Sequence, residues 1–464
     1  MATPLMIMGC TSDAGKSFLV TALCRHLANR GVRVAPFKAQ NMSNNAAVTP
    51  DGAEIGRAQY LQALAARVTP QARMNPVLLK PSAETDSQVI VLGRADLAIS
   101  ALPWLERQPR LWPIVQEALS SLMQDYDQVV IEGGGSPAEI NLRASDIVNM
   151  RVAQECQADV YLVADIDRGG AFAHLLGTWQ CLDAVDQARI KGFILNKFRG
   201  DAALLGNAMD WLQERTGIAT VALVPMVRHA LPEEDALHHH AAPQPQHINL
   251  ALLVYPYASN LEEFDPLIHE PGVTVVPIRD FARLDGYHAI LLPGSKNTVA
   301  SLRYLRQSGL AAEVHRAAQR GIPVLGICGG LQLLGHRIDD PHHLESGDCA
   351  GLGLLDVATT LVPDKTTRQR QVLWRGVLLQ GYEIHHGQTQ AGPAVQVCVA
   401  DDLGWSQDNV SGVYVHGLFE NAVYRQQFLA QLGWEGQTAG EWSATVEADI
   451  ERVAQLIPAS GWHV

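Results

Sequence analysis

The chain has 464 residues, 47% hydrophobic and 18% charged, with a formal net charge of −13. At roughly 100–200 residues per domain, that length fits two or three domains, and the apolar content excludes a disordered chain. The acidic balance excludes a globally basic nucleic-acid binder and a protein held to anionic lipid by a basic surface; it does not exclude a local pocket for an anionic substrate.

The seven cysteines (10, 24, 156, 181, 328, 349 and 398) are scattered and include no C-x-x-C pair. Such a set argues against a disulfide scaffold or a zinc knuckle and fits a reducing compartment. The opening MATPLMIMGC has no basic n-region and enters a glycine loop, so it reads as a first strand rather than a signal peptide. No uncharged run of about 18 residues occurs, so the expectation is a cytoplasmic protein without a membrane span.

In chain order, LMIMG (5–9), VRVAPF (32–37), QVVIE (128–132), DVYLVAD (159–165), GFILN (192–196) and TVALVP (220–225) predict strands. Their apolar residues run continuously instead of alternating, as in strands covered on both faces. Helical patterns lie between them, at 17–30, closed by Gly31, and at 54–68, followed by Pro70. Strand–helix alternation predicts an α/β fold with a parallel, doubly wound sheet.

The pattern breaks at ALHHHAAPQPQH (236–247), a polar stretch without periodicity that reads as a linker. His238, His239 and His240 suit a solvated linker better than a metal site, since no matching ligand cluster follows. A second α/β pattern then begins, with INLALLVY (248–255), GVTVVPI (272–278), YHAILLPG (287–294) and IPVLGICGG (322–330). The predicted organisation is a domain over 1–235, a linker over 236–247 and a second doubly wound domain over 248–464.

Residues 9–17, GCTSDAGKS, carry the parts of a phosphate loop with one residue more than the usual spacing. A strand ends, Thr11, Ser12 and Gly15 offer backbone N–H groups, Lys16 supplies a cation, and Ser17 opens a helix whose N-terminus favours anions. A plain strand–helix turn would explain Gly15 but not the Lys-Ser pair. The expected ligand is ATP with magnesium, which prefers oxygen donors. Ser17 and Glu132 are the candidate metal ligands; Glu132 ends a strand, where ligands collect, although it could simply cap a helix. Asp146 either caps a helix or lines the site. Lys38 ends the second strand within reach of a phosphate or a substrate carboxylate, and Asn196 is placed for a base-edge hydrogen bond.

In the second half, VLGICGGLQLLG (324–335) is a Gly-x-nucleophile-x-Gly elbow with Cys328 as nucleophile. Its glycines permit a sharp turn, the following helix N-terminus favours thiolate, and the Gly329 N–H can stabilise an oxyanion. The alternative is a buried structural cysteine. His416, in GVYVHGLFE, is the expected base, with His385 and His386 as competitors. Gly294 and Ser295, in PGSKN, form the expected second oxyanion loop.

Several longer motifs carry a family resemblance. GCTSDAGKS, FKAQNMSNN (37–45), EIGRAQ (54–59), NPVLLKP (75–81), EGGGSPAEINL (132–142) and NKFRGD (196–201) resemble the synthetase domain of the cobyric acid synthases, which is similar to dethiobiotin synthetase. PGSKNT (293–298), GICGGLQLLG (326–335), GYEIHHGQT (381–389) and GVYVHGLFE (412–420) resemble that family's class I glutamine amidotransferase domain.

The resemblance implies amidation of the b, d, e and g carboxylates of adenosylcobyrinic acid a,c-diamide, with ATP and L-glutamine used in each round and acyl phosphates as intermediates. It implies Cys328 and His416 as catalytic residues, Lys38 facing phosphate or substrate, Glu132 on magnesium, Asn196 on adenine, and Asp146 as an organiser of the corrin carboxylate. Cobyrinic acid a,c-diamide synthase, with the same architecture, and a non-catalytic phosphate-loop switch protein are the rivals.

Two positions depart from the pattern. Cys10 stands in the phosphate loop where threonine is usual. Leu418 stands where many class I amidotransferases carry the glutamate that orients the histidine, so the expectation is a Cys328–His416 dyad with an unidentified orienting partner. Covalent linkage of the two domains also motivates a guarded route for ammonia.

Overall fold

The computed structural model describes residues 3–83, 86–232, 241–345 and 347–463. His238, His239 and His240, with the first part of the expected linker, lie outside the described residues.

The first sheet comprises β1 (Leu5–Gly9), β2 (Val34–Phe37), β3 (Gln128–Glu132), β4 (Asp159–Asp165), β5 (Ile190–Phe198) and β6 (Thr220–Pro225). All its pairings are parallel, in the order β6-β5-β4-β1-β3-β2. Every residue of β1, β2 and β3 is buried, as their unbroken apolar runs require. Helix α1 (Lys16–Asn29) follows β1 directly, so the loop between them opens at the carboxyl edge of the central strand.

The expected helix over 54–68 is corrected at its start. Glu54–Gly56 is a strand paired with Ala46–Val48, and helix α2 runs over Arg57–Ala65. The buried Glu54 carboxylate accepts from Lys80 at 2.7 Å and is also paired with Lys365, a three-element cluster that a helical turn there would not satisfy.

The second sheet has β7 (Ile248–Leu253), β8 (Val273–Ile278), β9 (Ala289–Leu292) and β10 (Val324–Ile327), followed by a long hairpin, β11 (Val357–Trp374) and β12 (Val377–Ala391). It is completed by β13 (Gln396–Val399), β14 (Gly404–Gln407) and β15 (Val410–Val413). The order is β8-β7-β9-β10-β15-β14-β13, with β13 and β14 antiparallel at one edge. Helix α3 (Gly329–Leu334) leaves β10 through Cys328. The β11–β12 hairpin lies outside this sheet and reaches the first domain, where Gln369 donates to the Val48 carbonyl at 2.9 Å. Tyr382 and Ile384 there share a core with Ala46, Val48, Leu78 and Ile90.

The C-terminal segment, placed by chain order after the second sheet, packs on the first domain. Helix α4 (Trp442–Ala454) packs on α1, and Trp442, Val446, Ile450, Val453, Ile457 and Trp462 join the core that contains Leu19 and Leu23. The buried Arg25 of α1 donates to Glu447 at 2.5 Å and to Glu451 at 2.8 Å. By packing, the C-terminal segment belongs to the first domain. No helix among the described residues is long and apolar enough to cross a membrane.

Candidate active sites

The loop between β1 and α1 is held from beneath. Gly15 has φ 93°, and a Cβ there would fall 2.0 Å from Asn196 Nδ2, so both the left-handed backbone and the close approach require glycine. Asn196 Nδ2 donates to the Ala14 carbonyl at 2.9 Å, so this amide clamps the loop. Lys16 Nζ lies over the loop, 3.4 Å from the Thr11 carbonyl and 3.3 Å from that of Gly135. Ser12 is exposed at the tip and Thr11 half-buried.

Ser17 Oγ donates to Glu132 Oε1 at 2.8 Å, and Lys38 Nζ meets the same oxygen at 2.9 Å. Gln62 Nε2 and Gln59 Nε2, both from α2, reach Glu132 Oε2 at 2.5 and 3.4 Å. Burial opposes the charge on Glu132, but Lys38, Gln62 and Lys16 hold its carboxyl below the ordinary range. A hydroxyl and an anionic carboxylate converging beside a phosphate loop form a hard oxygen donor pair. That fits magnesium, which takes few protein ligands and completes its shell with water and phosphate oxygens.

Asp146 is not brought to this cluster. Its Oδ1 accepts from the backbone of Val148 at 2.8 Å and of Asn149 at 3.0 Å, so it caps the turn before Met150. This is the helix-capping arrangement that the sequence also allowed. Cys10 is buried, and burial pushes its thiol up to about 11, consistent with an inert side chain in a loop that works through its backbone.

In the second domain, Cys328 has φ 53° and ψ −103°, a conformation that L-residues rarely adopt. Held strain of this kind clusters at functional sites. A Cβ on Gly329 would lie 2.4 Å from the Ser295 backbone N, so glycine lets the Gly294–Ser295 segment pass directly against the elbow. A Cβ on Gly294 would lie 3.3 Å from His416 Cε1. Cys328, Gly329, Gly294, Ser295 and His416 thus meet in one place.

His416 is buried and within hydrogen-bonding reach of the Cys328 thiol. It sits past the end of β15 and bridges Tyr382 through paired backbone hydrogen bonds of 2.9 and 3.2 Å. The Tyr382 ring stacks on it at 5.3 Å.

The partner that sequence reasoning left unidentified is Glu263. Its Oε1 lies 3.2 Å from His416 Nδ1, and its Oε2 accepts from the Gly417 backbone at 3.4 Å. Burial alone would lower the His416 pKa, but the Glu263 carboxylate and Cys328 overcome it and raise it to about 10. Cys328, His416 and Glu263 have the nucleophile–base–orienter geometry of a triad. Glu263 comes from a short 3-10 turn 153 residues before His416. One sequence signal existed: NLEEF places two carboxylates in an apolar stretch, and both are buried.

The competing histidines are engaged elsewhere. His385 meets Glu383 at 3.0 Å and stacks on Tyr414. His386 lies 3.1 Å from Gln88, and burial with the Lys296 and Lys365 charges lowers its pKa to about 3.

Replacing Glu263 by glutamine is expected to lower glutamine hydrolysis by about 10²–10⁴-fold. The carboxylate raises the His416 pKa, so a neutral amide lowers it, and the alkaline limb of the glutaminase profile moves to lower pH. Glutamate release followed across pH measures both effects; an unmoved profile would remove Glu263 from the triad.

Comparison with known proteins matches residues 5–238 to the CobQ/CobB/MinD/ParA nucleotide binding domain and residues 249–424 to the CobB/CobQ-like glutamine amidotransferase domain. A cobyric acid synthase of Deinococcus radiodurans is 53% identical over 471 residues, covering 98% of each chain. Cobyric acid synthases of Polaromonas, 49% identical over 92% of each chain, and of Paracidovorax citrulli, 51% identical over 91% of this chain and 92% of that one, are similarly close.

Proposed function

Because the chain belongs to the cobyric acid synthase family, a group of glutamine-dependent ligases, we propose that it amidates the b, d, e and g carboxylates of adenosylcobyrinic acid a,c-diamide. The observation that supports this best is the pairing, in one chain, of a phosphate loop with a Cys328–His416–Glu263 triad.

In the second domain, Cys328 sulfur attacks the glutamine amide carbon. The Gly329 and Ser295 backbones face the developing oxyanion, and His416 passes a proton to the departing ammonia. Water then hydrolyses the thioester to glutamate, with His416 as base and Glu263 holding its ring in register.

In the first domain, Lys16 and the amides of residues 11–17 hold the ATP phosphates while Ser17 and Glu132 offer the oxygen pair for magnesium. Magnesium bound there would neutralise charge on the β- and γ-phosphate oxygens. With a cation held by Glu132 and Ser17, Lys38, which now pairs with Glu132, would be free to meet a phosphate or the substrate carboxylate. A corrin carboxylate oxygen attacks the γ-phosphorus and ADP leaves. Ammonia then displaces phosphate from the acyl carbon.

The mass of the product made from the a,c-diamide with ATP and glutamine tests the reading. Four amide conversions are expected. Any other number, or turnover of the precursor that lacks the a and c amides, would point to the diamide synthase instead.

A further inference from the structure

Helix α2 faces two sites at once. From its inner side, Gln59 and Gln62 reach the carboxylate of Glu132 in the phosphate site. From its first turn, Arg57 crosses to the other domain, donating from Nη2 to Glu420 at 2.7 Å and placing Nε 3.8 Å from Glu262. Glu262 is the residue before the triad glutamate, and Glu420 lies four residues beyond His416.

Among the described residues, neither oxygen of Glu262 accepts a hydrogen bond. Burial pushes its carboxyl up to about 7, against the pull of Arg57. A buried carboxylate without hydrogen-bond donors depends on its counter-charge to stay ionised. Its neighbourhood is loosely filled on one side: Arg57, Tyr60, Tyr382, Gly417 and Glu420 line a cavity of about 700 Å³ between the domains. There is room there for the guanidinium to move.

We infer that Arg57 is a positioning residue through which the synthetase site controls glutamine hydrolysis in the other domain. This rests on the functional reading above and extends it to regulation. Gln59 and Gln62 tie α2 to the Glu132 carboxylate, so a change in that carboxylate's partners would act on the helix. A nine-residue helix moves as a unit, so its first residue shifts against Glu262 and Glu420. The field beside Glu263 and His416 changes with it. One helix tied to Glu132 through Gln59 and Gln62 and to Glu262 and Glu420 through Arg57 gives the two sites a shared element through which they can be coupled.

The test uses the full-length protein and compares glutamate released with amide formed, using glutamine or ammonium as nitrogen source. In the wild type, ATP and corrin acceptor should stimulate glutamate release, which should follow amide formation about one to one. Arg57→Gln should raise the glutamate-to-amide ratio at least about five-fold while ammonium-driven amidation stays at the wild-type rate. Arg57→Lys, which keeps the charge without the fork, should restore the ratio in part.

A change confined to folding would depress ammonium-driven amidation in parallel and leave the ratio alone, and that result overturns the inference. So does an unchanged ratio in Arg57→Gln when the wild type amidates normally. A wild type that forms no amide from the corrin substrate overturns the functional reading and the coupling together.

Discussion

Cys328→Ser should abolish amidation driven by glutamine, by about 10³-fold or more, and leave amidation driven by ammonium intact. The serine hydroxyl is a far weaker nucleophile than a thiolate. The fold has little reason to respond. Serine is smaller than cysteine, and the sulfur's contact with the Ile384 carbonyl is a long one, 3.5 Å. The Lys16–Ser17–Glu132 cluster is in the other domain and keeps its contacts. Phosphate release and product mass with each nitrogen source read the result. Retained glutamine-driven turnover would take Cys328 out of the chemistry, and parallel loss with ammonium would mean that the two domains do not work separably.

The mirror experiment is Lys16→Ala. Removing the cation from the phosphate loop should cost about 10³-fold or more in amidation, with either nitrogen source, because phosphoryl transfer depends on positioning and charge neutralisation. Glutamate release in the absence of ATP should continue, since no triad residue touches the loop. A variant that still amidates with ammonium would place the phosphate chemistry elsewhere. Together the two substitutions divide one reaction into halves with opposite signatures.

Features written in contiguous residues were legible in the sequence. The buried strands show as unbroken apolar runs, and β3 and β4 match the predicted ranges residue for residue. The elbow was legible because glycine and a nucleophile at fixed offsets encode backbone geometry locally, and Cys328 adopts the unusual φ that such a turn needs. The phosphate loop was legible despite Cys10 because its function rests on main-chain amides.

Features made by contacts between distant segments were not. Glu263 supports a histidine 153 residues away, and no periodicity connects them. Asn196 lies two residues before the end of its strand, and its amide donates to the carbonyl of Ala14, 182 residues earlier in the chain. The start of α2 was misread because Glu54 answers to Lys80 and Lys365, one of them 311 residues away. Asp146 was ambiguous from the outset: a carboxylate two or three residues before a helix looks the same in sequence whether it binds a substrate or backbone amides.

The return of α4 to the first domain has a consequence for how the molecule can be divided. Severing the chain between residues 232 and 241 would not release two self-sufficient halves. The amino-terminal fragment would lack the cover over Leu19 and Leu23 and the acidic partners of the buried Arg25, while the carboxyl-terminal fragment would carry an unmatched apolar helix. Each piece holds the patch that the other lacks, so co-expressed fragments are suited to reassemble without a peptide bond between them. The enzyme is sewn shut by its own tail.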